Sequence, residues 1–324
     1  MADDQARSWF LPAPTEDNQR TEIDTGVPHI ARIYNYWLGG KDNFAADRVA
    51  AELVIESYPD IRPGVRAQRE FLVRAVRYLA EAGIRQFLDI GTGLPSANNT
   101  HEVAQGVAPE SRVVYVDNDP IVLAHARALL ASSPQGMTAY LDADLRDTGE
   151  ILQAAARMLD FGEPVAVMLI GVLQCLADSD GPAAIVRRLL DAVPPGSYLV
   201  IAHPASDIQA VRMKTAVTRM NTMMAQPVTL RPYAEVVRFF DGLDPVAPGL
   251  VQLHRWRAVP SDPGMELASY GGVARKPLPG GMLGFDYQCE SMPAGRSRGG
   301  STAILAGQYP RPAKWQEKCN GISA

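Results

Sequence analysis

The chain has 324 residues, 47% of them hydrophobic and 21% charged, which suits one enlarged α/β domain and excludes wholesale disorder. Its 31 Lys and Arg stand against 36 Asp and Glu, and a net charge of −5 argues against a surface given over to nucleic acid. Three cysteines (Cys175, Cys289 and Cys319) without a C-x-x-C pair, no zinc pattern among the five histidines, a polar acidic N-terminus and no apolar run of the ~20 residues that span a bilayer predict a reduced, soluble, cytoplasmic protein without disulfide framework, metal or membrane segment.

In chain order, residues 1–27 are polar and aperiodic and read as a loose arm. Residues 31–44 differ in kind: Tyr34, Tyr36 and Trp37 stand beside Asn35, Gly39, Gly40, Lys41, Asp42 and Asn43, which reads as a folded loop rather than a linker. Helical patterns follow at 45–57 and 63–81. The second places Phe71, Leu72, Ala75, Val76 and Leu79 on one face and Arg66, Arg69, Arg74 and Arg77 elsewhere. Residues 28–83 are thus expected to form an N-terminal lid and helices. From 84 to 276, apolar runs at 86–90, 113–116, 137–141, 165–170 and 198–202 alternate with helical stretches near 97–107, 120–131, 148–159 and 182–192. Continuous apolar strands between helices predict a parallel sheet covered on both faces. A methionine-bearing helix at 207–224, a segment at 233–241, and two late strands at 251–256 and 269–274, read as an antiparallel edge hairpin, complete the core. Residues 277–324, rich in Pro and Gly and aperiodic, read as a poorly ordered tail.

The sharpest local signal is Phe87-Leu88-Asp89-Ile90-Gly91-Thr92-Gly93, a buried strand running into a Gly-x-Gly turn that opens a helix. The glycines permit a tight turn and close approach of backbone to a ligand. A nicotinamide-binding turn usually carries a third glycine where this chain has Ser96. Asp89 would repel a pyrophosphate and attract a ligand bearing an ammonium group and sugar hydroxyls, which favours S-adenosylmethionine over a dinucleotide.

The second strand ends in Asp117, followed by Asn118, 28 positions after Asp89, where a carboxylate can accept both ribose hydroxyls; Asp119 is read as the cap of the helix opening at Pro120. The third strand ends in Asp142, Ala143, Asp144 and Leu145. Asp144, with Asp142 as fallback, can reach an exocyclic adenine amino group while Leu145 packs on the ring. Ile170 and the residues after it shape the floor. For catalysis the chain offers one weak candidate base, His203 at the end of the fifth strand; methyl transfer from a sulfonium asks for alignment and desolvation more than for a nucleophile on the enzyme. The methionines at 213, 220, 223 and 224 suit either core or an adaptable pocket.

Acids in this order at strand ends resemble class I S-adenosylmethionine-dependent methyltransferases over residues 86–276. The wider pattern is similar to the actinobacterial S-adenosyl methyltransferase family, a former domain-of-unknown-function group: ARIYNYWLGGKDNFAADR, FLDIGTGLPS, VVYVDNDPIVLAHA, ADLRD, FFDGLDPVAPGLVQLHRWR and YGGVARK agree in order over residues 28–276. The resemblance implies a Rossmann-like fold with a mostly parallel seven-stranded sheet, helices on both faces, an antiparallel edge hairpin and an N-terminal helical cap. It implies S-adenosylmethionine as cofactor, bound by Asp89, Gly91, Thr92, Gly93, Asp117, Asn118, Asp144, Leu145 and Ile170. Within it the 31–44 segment gains a role as lid, with Tyr34 and Tyr36 over the adenine or sulfonium, Asn35 and Asn43 on the amino-acid carboxylate or hydroxyls, and Lys41 on the carboxylate. The expected function is methyl transfer to an unidentified small molecule; the alternative is a non-catalytic S-adenosylmethionine-binding sensor or partner module, whose cofactor residues would look the same.

Overall fold

The computed structural model describes residues 24–129, 132–258 and 266–278. The arm read at 1–27 and the tail read at 277–324, with Cys289 and Cys319, fall almost wholly outside the described residues. Among those described, no helix is long and apolar enough to cross a membrane.

Among the described residues three helices precede the sheet: α1 (Ile30–Trp37), α2 (Ala45–Ser57) and α3 (Ile61–Glu81). The first corrects the sequence reading, which made 31–44 a loop. Ile30, Ile33, Tyr34 and Trp37 follow the i, i+3, i+4, i+7 spacing of a helix face, and Ile33 and Trp37 are buried on it. His29 caps the start and Gly39, at φ +86°, turns the chain away at the end. Only the remainder, 38–44, is loop. The aromatic content reports what α1 buries: Trp37 Nε1 donates to the Ala51 carbonyl of α2 at 3.2 Å.

The sheet that follows holds β1 (Gln86–Ile90), β2 (Arg112–Asp117), β3 (Met137–Asp142), β4 (Ala166–Ile170) and β5 (Tyr198–Pro204), all parallel, linked by α4 (Thr100–Val107), α5 (Pro120–Leu129), α6 (Thr148–Ala155) and α7 (Pro182–Asp191). Side chains alternate between two cores. Leu88, Ile90, Val114, Val116, Val167, Leu169, Leu199 and Ile201 meet α2, α6 and α7 on one face. Phe87, Val113, Tyr115, Ala166, Met168, Val200 and Ala202 meet α3 and α4 on the other. The spatial order is β3-β2-β1-β4-β5, so the winding reverses between β1 and β4, where an open α/β sheet leaves a crevice at its carboxyl edge.

Beyond β5 come α8 (Ala210–Asn221), α9 (Tyr233–Val236), β6 (Asp244–Pro245), β7 (Val251–Gln252) and β8 (Ser269–Arg275). The buried Met213 and Met220 of α8 belong to the core and not to a pocket. The edge differs from the expected hairpin. β8 lies antiparallel beside β5 along its whole length, while β6 and β7, two residues each, pair with the far side of β8. Among the described residues the sheet therefore has eight strands rather than seven. The strand read at 251–256 stops at Gln252, because Leu253–Arg255 tightens into a 3-10 turn that sinks Trp256. That ring is fully buried, edge-on to Phe71 and Tyr78 of α3, and Arg74 of α3 donates to the carbonyls of Trp256 (2.8 Å) and Leu253 (3.0 Å). The arginine read as off-face is a clasp on the turn.

Candidate functional site

A cavity of about 410 Å³ opens at the carboxyl ends of β1, β2, β3 and β4, at the point where the winding reverses. The turn after β1 forms one wall. Gly91 N–H donates to the Val116 carbonyl at 2.8 Å, and Gly91 and Gly93 have φ of +74° and +65°, which side-chain-bearing residues rarely adopt. A Cβ on Gly91 would meet Val172 Cγ2 at 2.3 Å, whereas one on Gly93 would meet nothing within 4 Å. Gly91 thus seats the turn against the floor, and Gly93 leaves its backbone open to a ligand.

Carboxylates border this cavity at three strand ends. Asp89 is buried and accepts the Thr100 hydroxyl at 2.6 Å; burial pushes its pKa from 3.8 to about 6, with the Thr100 bond and Arg69 opposing. Because the folded state favours the protonated form, keeping Asp89 charged costs a few kcal/mol (about 3 for two pH units), a cost that grows from about pH 4 to 6 and is complete above. Asp117 accepts the Gly93 N–H at 2.8 Å and the Asp119 N–H at 3.0 Å; burial raises its pKa and these two bonds oppose the rise. Asp144 accepts from Asn118 Nδ2 (3.1 Å) and from the backbone and guanidinium of Arg146, which also reaches Asp180 at 3.2 Å. Asp119 caps α5 as read, accepting the Ile121 N–H at 2.8 Å.

Helix α1 roofs the cavity, contributing His29 from its cap, Tyr34, Asn35 and Leu38, with Gly39, Gly40 and Asp42 from the turn after it. Its attachment is polar and buried. Asp47 of α2 accepts the His29 and Phe44 backbone N–H groups (2.9 and 2.8 Å) and lies 3.4 Å from Arg32 Nε, while His29 Nδ1 lies 2.8 Å from Asp119 Oδ2. Burial pushes the pKa of Asp119 up, but the contact with His29, the Ile121 N–H and the Arg32 charge together lower it. The roof is thereby tied to the loop that carries Asp117.

A family model described as S-adenosyl methyltransferase matches residues 16–277. The chain belongs to the S-adenosyl methyltransferase family. Two solved structures are similar along nearly their whole length. A DUF574 family protein from Streptomyces avermitilis is 46% identical, with 78% of this chain and 99% of that one covered at a TM-score of 0.76. A candidate methyltransferase from Thermobifida fusca is 40% identical, with 79% and 97% covered at 0.73. No curated protein matches the chain. S-adenosylmethionine is accordingly the methyl donor of this methyltransferase. The site suits it on its own evidence: the open backbone at Gly93, a buried carboxylate at Asp89, and a cavity of the size that small ligands occupy (roughly 300–1,000 Å³).

In the methyltransferase, Tyr34, Asn35, Asp89, Gly91, Thr92, Gly93, Asp117, Asn118, Asp144, Leu145 and Ile170 all line the cavity. Lys41 does not: it is exposed on the turn after α1. Asn35 Oδ1 is already occupied by the Asp42 N–H (3.1 Å) and Asn43 Nδ2 (2.9 Å), so it organises that turn and has only its amide nitrogen to offer. Tyr36 points away to Glu52 of α2, and Asn43 does not line the cavity. His203 is also outside it. The ring is buried against Phe239, its Nε2 accepts from Arg231 Nη1 at 3.0 Å, and Nδ1 faces the Pro204 carbonyl at 2.9 Å; burial pushes its pKa down to about 4, leaving a neutral, enclosed ring that cannot meet an acceptor. The strand-end position is right for a base, but Arg231 fills the space.

Sequence reasoning missed Gln68 and Arg69 of α3, His29, Arg146, Cys175 and Gln226. Arg69 is the most telling. Its Nη2 donates to the carbonyls of Ala97 (3.3 Å) and Asn98 (3.0 Å), while its Nε is buried with no partner. The signal available was weak: Gln68 and Arg69 precede Phe71-Leu72 on the same helix, indistinguishable by period from Arg66 or Arg77.

Proposed function

We propose that this methyltransferase holds S-adenosylmethionine along the carboxyl edge from Asp89 to Asp144 and methylates a small-molecule acceptor admitted beneath α1. One observation carries the reading: Asp89, Asp117, Asp144 and the Gly93 backbone, distributed over three strands, border a single cavity. Asp89 pairs with the cofactor ammonium, Arg69 with its carboxylate, Asp117 with the ribose hydroxyls, and Asp144 with the adenine amino group over Leu145. Opposite charges for the two ends of an amino acid, on adjacent walls, recognise a zwitterion, and charge-assisted bonds of this type are the strong ones. S-adenosylmethionine supplies an electrophilic methyl group on a sulfonium. The chain supplies alignment and exclusion of water by the α1 roof. The Tyr34 hydroxyl and the Cys175 thiol, the latter pushed up to about 12, are kept protonated by burial and act as walls or donors, not as bases.

Incubation with methyl-labelled S-adenosylmethionine and fractionated small-molecule extract should label a low-mass product. Tight binding of the cofactor in calorimetry with label in no fraction would instead establish a non-catalytic binding module. The carboxylate assignment has its own test. Arg69→Met should weaken S-adenosylhomocysteine about tenfold or more, the loss of one charge-assisted bond, yet leave 5′-methylthioadenosine, which lacks the amino-acid end, within about twofold. Equal losses for both ligands would remove Arg69 from the cofactor.

A further inference from the structure

Beside Asp89 and the Gly-x-Gly turn lies a small chamber of about 10 Å³ that adjoins the large cavity and shares Arg69, Asp89, Thr92, Gly93 and Pro95 with it. Its far wall is made by Tyr115 and Tyr140, stacked at 5.0 Å between centroids. The Tyr115 hydroxyl is engaged by the His101 N–H at 2.8 Å. The Tyr140 hydroxyl and Arg69 Nε, by contrast, are buried without a hydrogen-bond partner. Buried orphan donors of this kind are costly, and a polar space of about this volume suits one water with two to four partners.

We propose that this chamber holds a single structural water that accepts from Tyr140 Oη and Arg69 Nε and donates to the Asp89 carboxylate, so that Tyr140 is a positioning residue for both charges that grip the amino-acid end of the cofactor. The donors and the acceptor balance: two orphan donors meet the two lone pairs of one water, and one of its protons meets a carboxylate. The inference rests on the cofactor reading above. It adds that β3, whose Tyr140 stacks on Tyr115 of β2, acts on the amino-acid end through solvent. The charged and titratable groups facing Asp89 are Arg69 from α3, Asp117 and Tyr115 from β2, and Tyr140 from β3, with the uncharged Thr100 donor from α4. Arg69 and Thr100 favour its ionised form, and Asp117 opposes it. Loss of the water removes one donor to the carboxylate and so raises its pKa. Ammonium binding then demands a higher pH.

A crystal structure that resolves solvent should show one water within hydrogen-bond distance of Tyr140 Oη, Arg69 Nε and Asp89; an empty chamber overturns the proposal. In solution, S-adenosylhomocysteine affinity should rise with pH through the Asp89 titration, and Tyr140→Phe should move that midpoint up by about half a pH unit or more. At the original midpoint a shift of about half a unit halves the ionised fraction, so Tyr140→Phe should weaken S-adenosylhomocysteine about twofold or more, with 5′-methylthioadenosine unaffected. Phe keeps the stacked ring, and Thr100→Val, which removes a direct donor to Asp89, is the reference variant. If Thr100→Val shifts the midpoint and Tyr140→Phe does not, the chamber has no such role while the Asp89 assignment stands. If neither shifts it, the Asp89 assignment fails and the proposal with it. Equal losses for both ligands in Tyr140→Phe would reduce Tyr140 to packing.

Discussion

Replacing Asp117 with alanine should weaken S-adenosylhomocysteine at least about tenfold, the largest effect of any single strand-end change. A carboxylate that accepts two ribose hydroxyls makes two charge-assisted bonds, each worth roughly 1.5–3 kcal/mol, so even a partial loss exceeds tenfold. The structure adds a second reason. Asp117 also receives the Gly93 and Asp119 N–H groups, so its removal releases the turn whose positive φ holds the backbone against the ligand. Asp117→Asn separates the contributions: it keeps the side chain's length but loses its charge, and one end of the amide faces a donor with a donor. Calorimetry on proteins whose melting curves remain cooperative measures both. A folded Asp117→Ala protein with unaltered affinity would put the ribose elsewhere.

A chain that begins at residue 45 should lose cofactor affinity by about two orders of magnitude, because the α1 roof excludes the water in which charged contacts are weak. A chain that begins at residue 24 should bind within about twofold of the whole protein, since the roof and its fastenings are then intact. The starting residue matters: Arg32, which braces Asp47 and Asp119, donates to the carbonyls of Asp24 (3.3 Å) and Val27 (2.9 Å). Removing α1 also strips Ile33 and Trp37 from the core, a loss of about 1.5–3 kcal/mol for each buried side chain, so melting temperatures are needed beside the affinities. Tyr34→Ser in the whole chain resolves the two effects, since Tyr34 lines the cavity while Ile33 and Trp37 still anchor the helix. A folded chain from residue 45 that binds as tightly as the whole would return α1 to a structural role alone.

Four of the five parallel strands were legible as largely apolar runs buried on both faces, and the half-buried edge strand β3 by its place between two helices; the first, Gln86–Ile90, has the boundaries the sequence predicts. The edge was not legible. A run such as Val251-Gln252-Leu253-His254-Arg255-Trp256 alternates well enough for a strand, yet burying Trp256 between Phe71 and Tyr78 is worth more than four further ladder positions at an exposed margin. Segment 31–44 differs from its sequence reading for a related reason. Its amides and glycines drew attention to a loop, and the helical spacing of Ile30, Ile33, Tyr34 and Trp37 was hidden by residues equally at home in either.

What local chemistry dictates could be taken from the chain directly. A strand that runs into Gly-x-Gly, an acid at or just past the end of each of the first three strands, and an Asp before a helix-opening Pro are all set by neighbours a few positions away, and they lie at the cavity or at the cap where they were expected. Convergence is a different matter. Arg69 shares a chamber with Asp89 only because α3 lies across the sheet at one rotation, and Tyr140 lines the same chamber only because β3 stands two strands away with its ring stacked on Tyr115. His203 was excluded from the cavity by Arg231, 28 positions on, whose guanidinium takes the ring nitrogen and the carbonyls of Leu173 and Leu176. Such outcomes depend on which side chains compete for the same few ångströms of buried space, and the period of a helix or strand carries no information about a competitor distant in sequence.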